Sequence, residues 1–189
     1  MPSRFAQGVP VPLPPASTLE RWNRLSEGQP WVCLQLSAHD SLLLVCAQPG
    51  MGAAPGGMYL PLGLDLLVQQ VFAGKMPNEA QLEHGIMLVE DTIMPLAAQI
   101  PAHSVLLLHD PVLREMGRSA LGSARATTRS LRREAVETLF NLLAMQAAHP
   151  SVPHHDVPQT PQAAAALLIL REVLHHWQLP MLYLDQANG

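Results

Sequence analysis

Two apolar runs, residues 31–36 and 42–47, flank the stretch Ser37-Ala38-His39-Asp40-Ser41. Strand-length runs around five small or polar residues predict a β-hairpin. Their density predicts strands buried on both faces. Residues 58–62 predict a third strand, with Pro61 marking an edge or an end. Residues 104–108 and 181–184 are short continuous apolar runs of the same buried kind.

Between these strands the period changes. Leu82, Ile86, Val89, Ile93 and Leu96 form one continuous stripe at helical spacing, behind Asn78 and Gln81 in capping-box positions. Pro95 kinks or ends that helix. Glu83, Glu90 and Asp91 fall off the stripe and are assigned to a solvated face. Ser17 or Thr18 caps a first short helix to about residue 25, and Gly63 opens another that reaches residue 72. Residues 112–122 read as helical. Ser130 is placed as the cap of a helix over 131–148, with Val136, Leu139, Phe140 and Leu143 inward. Thr160 before Pro161 starts the last helix, where Ala163 to Ala166 permit close backbone approach. Arg171-Glu172 reads as a surface or edge ion pair. One of His175 and His176 is accounted for by the helix dipole. Neighbouring helical positions point about 100° apart, so the two histidines do not easily share an ion.

The element order is three strands, helices, a strand, helices, a strand. Three antiparallel strands followed by two helical crossovers to parallel strands resemble the ribonuclease-H/actin-like α/β fold, a mixed five-stranded sheet flanked by helices. Such folds bind phosphate at the tip of the first hairpin and at the end of the fourth strand. Residues 1–16 carry Pro2, Pro10, Pro12, Pro14 and Pro15 and are expected to form an extended, proline-rich extension. Residues 17–189 are expected to form a single domain.

Composition narrows the partners. The chain is 48% hydrophobic and 14% charged, with net charge −4 and 11 Lys+Arg. No basic face is concentrated enough for phosphate neutralisation, which argues against nucleic acid. No apolar run reaches the length of a membrane span, and no signal pattern opens the chain. Cys33 and Cys46 are too few for a disulfide framework and read as reduced core thiols, so a cytoplasmic location is expected. The low charge fits a surface partly covered by a protein partner or a second copy. No cofactor is expected.

The stretch Tyr59-Leu60-Pro61-Leu62-Gly63, then Pro77-Asn78-Glu79-Ala80-Gln81-Leu82, then Leu167-Leu168-Ile169-Leu170-Arg171-Glu172-Val173-Leu174 resembles the second domain of the exopolyphosphatase / guanosine pentaphosphate phosphatase family, over about residues 31–185. These are framework motifs, and what they imply is the family's architecture. The family's functional motifs are not matched. Its glycine-rich phosphate loop in the first hairpin corresponds to Ser37-Ala38-His39-Asp40-Ser41. There the side chains of Ala38 and His39 obstruct the approach to the backbone and Asp40 repels an anion. Gln35 and Leu42 stand where the family places acids. The second glycine loop corresponds to His109-Asp110-Pro111-Val112-Leu113. The closing Arg-containing segment corresponds to Gln186-Ala187-Asn188-Gly189, and the family's first domain has no counterpart in the sequence. No catalytic residue carries over. The resemblance implies the fold and argues against the activity.

Other motifs add little. The glycine loop around Gly50, Gly52, Gly56 and Gly57 lacks the Lys-Ser/Thr ending of a phosphate loop and reads as a turn. His154-His155-Asp156 lies in a proline-rich loop, and no nucleophile elbow occurs. The candidate ligand site is therefore His39, Asp40, Ser41, His109 and Asp110. The two His-Asp pairs are expected to lie close together at strand C-terminal ends, where open α/β sheets bind ligands, and their donor set admits a divalent metal. Structural capping of strand ends and turns is the simpler use of the same residues. The leading functional expectation is a non-catalytic interaction or regulatory module related to that family. The alternative is a phosphohydrolase or a phosphate- or metal-binding protein with rebuilt His-Asp loops.

Overall fold

The computed structural model describes residues 11–50, 54–121, 129–150 and 157–185. The first ten residues of the proline-rich segment lie outside the described residues, as do Gly52, His154-His155-Asp156 and residues 186–189.

A short helix α1 (Ala16–Leu25) precedes the hairpin of β1 (Trp31–Leu36) and β2 (Ser41–Cys46), and β3 (Gly56–Leu60) follows. The hairpin register puts Trp31 opposite Cys46 and Leu36 opposite Ser41. A π-helical turn (Leu66–Val71) leads to α2 (Glu79–Ile93), which carries the expected capping box of Asn78 and Gln81. The α-helix stops before Pro95, and the chain continues as a 3-10 stretch (Met94–Gln99). Then come β4 (Val105–Leu108), α3 (Pro111–Leu121), β5 (Ser130–Arg132), α4 (Arg133–Ala148), α5 (Pro161–His176) and β6 (Met181–Leu184).

The sheet order is β3-β2-β1-β4-β6-β5. β1, β4 and β6 are mutually parallel in the middle, and β2 and β3 run antiparallel on one side. This is the expected topology with one correction: the sheet has six strands, not five. The sixth is β5, which pairs antiparallel with the outer edge of β6. Ser130 is therefore not a helix cap. It lies opposite Tyr183 in the sheet, and α4 starts at Arg133.

Alternation along the strands builds two cores. Val32, Leu34, Leu43, Leu106, Leu108, Leu182 and Leu184 face the layer formed by α2, α3, α4 and α5. Trp31, Cys33, Leu42, Leu44, Val105, Leu107 and Tyr183 face the other way, where Trp22, Leu19 and Leu25 of α1 pack with Val11. Val11 lies directly over Gly57 of β3, where a β-carbon would not fit. The described end of the proline-rich segment thus rests on its own domain. Cys33 and Cys46 are buried and free, and burial pushes both thiols up. Among the described residues no helix is long and apolar enough to cross a membrane.

Helix α5 is apolar all round because it is the centre of the helix layer, in contact with α2, α3 and α4. Gly85 of α2 lets Leu168 approach so closely that a β-carbon there would sit 3.0 Å from Cδ1 of Leu168. Leu168 is fully buried. Leu168→Ala should lower stability by roughly 2–5 kcal/mol, transfer and cavity terms together. The check is the urea midpoint at unchanged slope. A shift worth less than about 1 kcal/mol would show that α5 is not tightly packed there.

Candidate functional site

The C-terminal ends of β1, β4 and β6 meet at one end of the sheet, because the three strands are parallel neighbours. The predicted residues fall at this end. Asp110 is the second residue after β4 and is the N-cap of α3. Its Oδ1 accepts from the amides of Val112 (2.9 Å) and Leu113 (3.0 Å), and its Oδ2 accepts from the amide of Leu36 (3.1 Å) at the end of β1. Asp-Pro at Ncap and N1 is a strong helix start. Both carboxylate oxygens of Asp110 are used to join the hairpin to α3.

The hairpin tip is folded onto the segment after β3. The amides of Leu64 and Asp65 donate to the carbonyls of Ser37 (2.9 Å) and Ala38 (2.8 Å). Gly63 lies against this backbone, and a β-carbon there would collide with the Ala38 carbonyl. Within the tip, the Ser37 hydroxyl bonds Asp40. Ser41 is fully buried and donates its hydroxyl to the Leu62 carbonyl. His39 is exposed, 86% accessible, like its neighbours Ala38 and Asp40, with Asp65 at 3.6 Å.

His109 turns to Asp185, not to His39. Its Nδ1 lies 2.8 Å from Oδ2 of Asp185, the residue just after β6. Asp185 is nearly fully buried and has three further donors. Arg21 donates from Nε to Oδ1 (2.7 Å) and from Nη2 to Oδ2 (2.9 Å), and the Trp22 indole donates to Oδ2 (2.8 Å). Arg114 of α3 also donates to the Asp185 backbone carbonyl (2.9 Å). The Trp22 ring stands edge-on to both Trp31 and His109. Four donors fill the acceptor capacity of a carboxylate. Burial alone would raise the Asp185 pKa, but the bonds from Arg21, Trp22 and His109, with the Arg21 charge, hold it at about 2.

The two His-Asp pairs thus share one end of the sheet without converging on a common point. Asp110 holds backbone, His109 holds Asp185, and His39 faces Asp65. Among the described residues they do not form a cluster of three possible metal ligands. A His-Asp pair is half of a proton-relay arrangement, yet among the described residues no hydroxyl or thiol bonds the His109 ring. Arg21, Trp22 and Asp185 were not picked out from the sequence. The available signal was that Asp185 directly follows a buried apolar strand, as the His109-Asp110 pair does.

Two assignments away from this end need correction. Arg171 and Glu172 are paired at 2.6 Å, but Glu172 is fully buried, not at the surface. Glu90 is not simply solvated, since its Oε1 lies 2.8 Å from Nε2 of His176. Both follow from the packing of α2 against α5.

No protein-family model matches the chain, and no curated protein matches it in sequence. Solved structures do. The type II variant of the Aquifex aeolicus Ppx/GppA phosphatase superposes with a TM-score of 0.66 at 10% identity, over 88% of this chain and 56% of its own. A second structure of the Aquifex aeolicus family member gives 0.62 at 11% identity, over 90% and 58%. An exopolyphosphatase from Cytophaga hutchinsonii gives 0.60 at 9% identity, over 85% and 54%. The chain therefore has the actin-like α/β fold found in the Ppx/GppA phosphatases, and it spans a little over half the length of those proteins.

The Asp185 cluster makes stability depend on acid. A pKa held below the ordinary 3.8 contributes stability that is complete above the unfolded-state value and is lost as pH falls from about 4 to about 2. The contribution is roughly 2 kcal/mol. Asp185→Asn should lower stability at neutral pH by a similar amount and flatten the acid limb of a pH–stability curve. An acid limb identical to that of the parent chain would count against this assignment.

Proposed function

We propose that this chain is a non-catalytic relative of the Ppx/GppA phosphatases that serves as an interaction or regulatory module. The reading rests on one observation. At the strand ends where this fold offers a ligand site, the polar groups are engaged by the chain itself. Gly63 and the amides of Leu64 and Asp65 close the hairpin tip, Asp110 caps α3, and Asp185 is saturated by Arg21, Trp22 and His109. The exposed hairpin tip carries Asp40, with Asp65 beside His39, and these acids disfavour an anion. The side chains of Met87, Met94 and Met145, all exposed on the helix layer, support a role in contact with protein, since methionine is adaptable and favoured at binding surfaces.

The test is a thermal-shift screen of the full chain against polyphosphate, guanosine polyphosphates and nucleoside triphosphates. A ligand that binds only the folded state raises the melting temperature. No shift is expected with any of the three. A shift that disappears in His39→Ala would replace this reading with a phosphate-binding one using the rebuilt loops. Light scattering on the same material should show a mass above the monomer as concentration rises, and a strict monomer would move the search to other partner chains.

A further inference from the structure

We propose that Glu90, Glu172 and His176 form a binding site for one divalent first-row transition ion, zinc above all, bridging α2 and α5. The site is separate from the strand ends described above. Helix α5 runs back to the start of β6, so His176 lies at the opposite end of the sheet from Asp185. The proposal goes beyond the functional reading and does not depend on it.

The geometry comes first. One ligand atom from each of the three residues lies within 4.8 Å of the other two. Nε2 of His176 is 2.8 Å from Oε1 of Glu90 and 3.4 Å from Oε2 of Glu172. Ligands about 2.0–2.2 Å from a tetrahedral ion are themselves separated by distances of this order. Glu172 and His176 are four residues apart on α5, so they share one helix face. Glu90 is supplied by the facing helix, as in metal sites built inside helix bundles.

The second observation is independent of that spacing. Glu172 is fully buried, and Arg171 satisfies only its Oε1, at 2.6 Å. Oε2 is buried without a hydrogen-bond partner and points toward His176. Nε2 of His176 can carry one proton, and it makes a hydrogen-bond contact with Glu90 but none with Oε2 of Glu172. Two carboxylate oxygens thus compete for one proton, and one of them is left unsatisfied in the interior. Native proteins rarely leave such an atom unmatched. A cation placed among the three atoms would satisfy both oxygens and accept the imidazole lone pair.

Donor chemistry selects the ion. One imidazole nitrogen with two carboxylates suits zinc or manganese better than magnesium, which prefers an all-oxygen shell with retained waters. Three protein ligands leave a fourth position open. His176 also lines a cleft of about 430 Å³ with Ile100, His103, Trp177 and Gln178. The ion would link the late part of α2 to the late part of α5.

The experiment uses the full chain, stripped with chelator and titrated with Zn²⁺, Mn²⁺ and Mg²⁺ by calorimetry and thermal shift. Co²⁺ absorption serves as the readout of coordination geometry. One equivalent of Zn²⁺ should bind and raise the melting temperature, and Co²⁺ should give the visible bands of a low-coordinate site. Glu90→Gln and His176→Ala should each weaken Zn²⁺ binding about tenfold or more, at the scale that even supporting residues reach in metal sites. Glu90 is only partly buried, so Glu90→Gln keeps the test valid if a Glu172 variant does not fold. No stabilisation by Zn²⁺ or Mn²⁺ would overturn the proposal, leaving His176 as a bonding partner of Glu90 beside a buried acid. Zn²⁺ binding equally tight in both variants would also overturn it, placing the ion on other histidines. A response to Mg²⁺ alone would do the same, because it excludes the nitrogen donor.

Discussion

One buried carboxylate holds the two sides of this sheet together. Helix α1 has only 10 residues and no side-chain N-cap, and a helix of that length is marginal by itself. It nevertheless covers the face of the sheet opposite the helix layer. Two things keep it there: the packing of Trp22 on Trp31, and the bonds from Arg21 and Trp22 to Asp185. The carboxylate has left water and would be costly unpaired, so its donors must arrive together with the fold. Arg21 alone would be a weak, half-exposed pair. Combined with a buried indole donor and an imidazole, it becomes part of a network in which each bond is made in low dielectric.

Much of the scaffold was legible in the sequence because it rests on local periodicity. The apolar runs gave β1, β2, β4 and β6, and the stripe from Leu82 to Ile93 gave α2 with its cap. β5 was not legible. Its three residues, Ser130-Leu131-Arg132, look like a cap entering a helix, and only the neighbouring edge of β6 makes them a strand. The Asp185 network was invisible for a related reason: its partners are 163 and 164 residues away in sequence. Glu172 misled because a glutamate in a helix is ordinarily exposed. Its burial follows from α2 lying across it.

The candidate site shows how one residue pattern serves two purposes. Asp110-Pro111 after a buried strand reads equally as a ligand loop and as a helix cap, and the amides of Val112 and Leu113 settle its use here as a cap. The bond from the Leu36 amide adds something capping does not require, since it ties the hairpin to the same carboxylate. In a glycine-rich loop this end of the sheet would present bare amides. Here carboxylates accept from the amides of Leu36, Val112 and Leu113, and the tip carbonyls are taken by Leu64 and Asp65. The chain occupies its own strand ends.

Hydrogen-bond satisfaction separates the buried carboxylates at the two ends of the sheet more sharply than residue type does. Both ends hold histidines and carboxylates in contact. At the strand C-terminal end, Asp185 and Asp110 have donors on both oxygens, and the buried group left over there is a donor, Nε of Arg114. At the other end, Glu172 is fully buried, and one of its oxygens has no hydrogen-bond partner. Burying a charged oxygen without a donor is among the more expensive errors a fold can make. Local rules that fail without visible compensation mark candidate functional sites, and the unmatched Glu172 oxygen is the observation on which the ion site proposed between α2 and α5 rests.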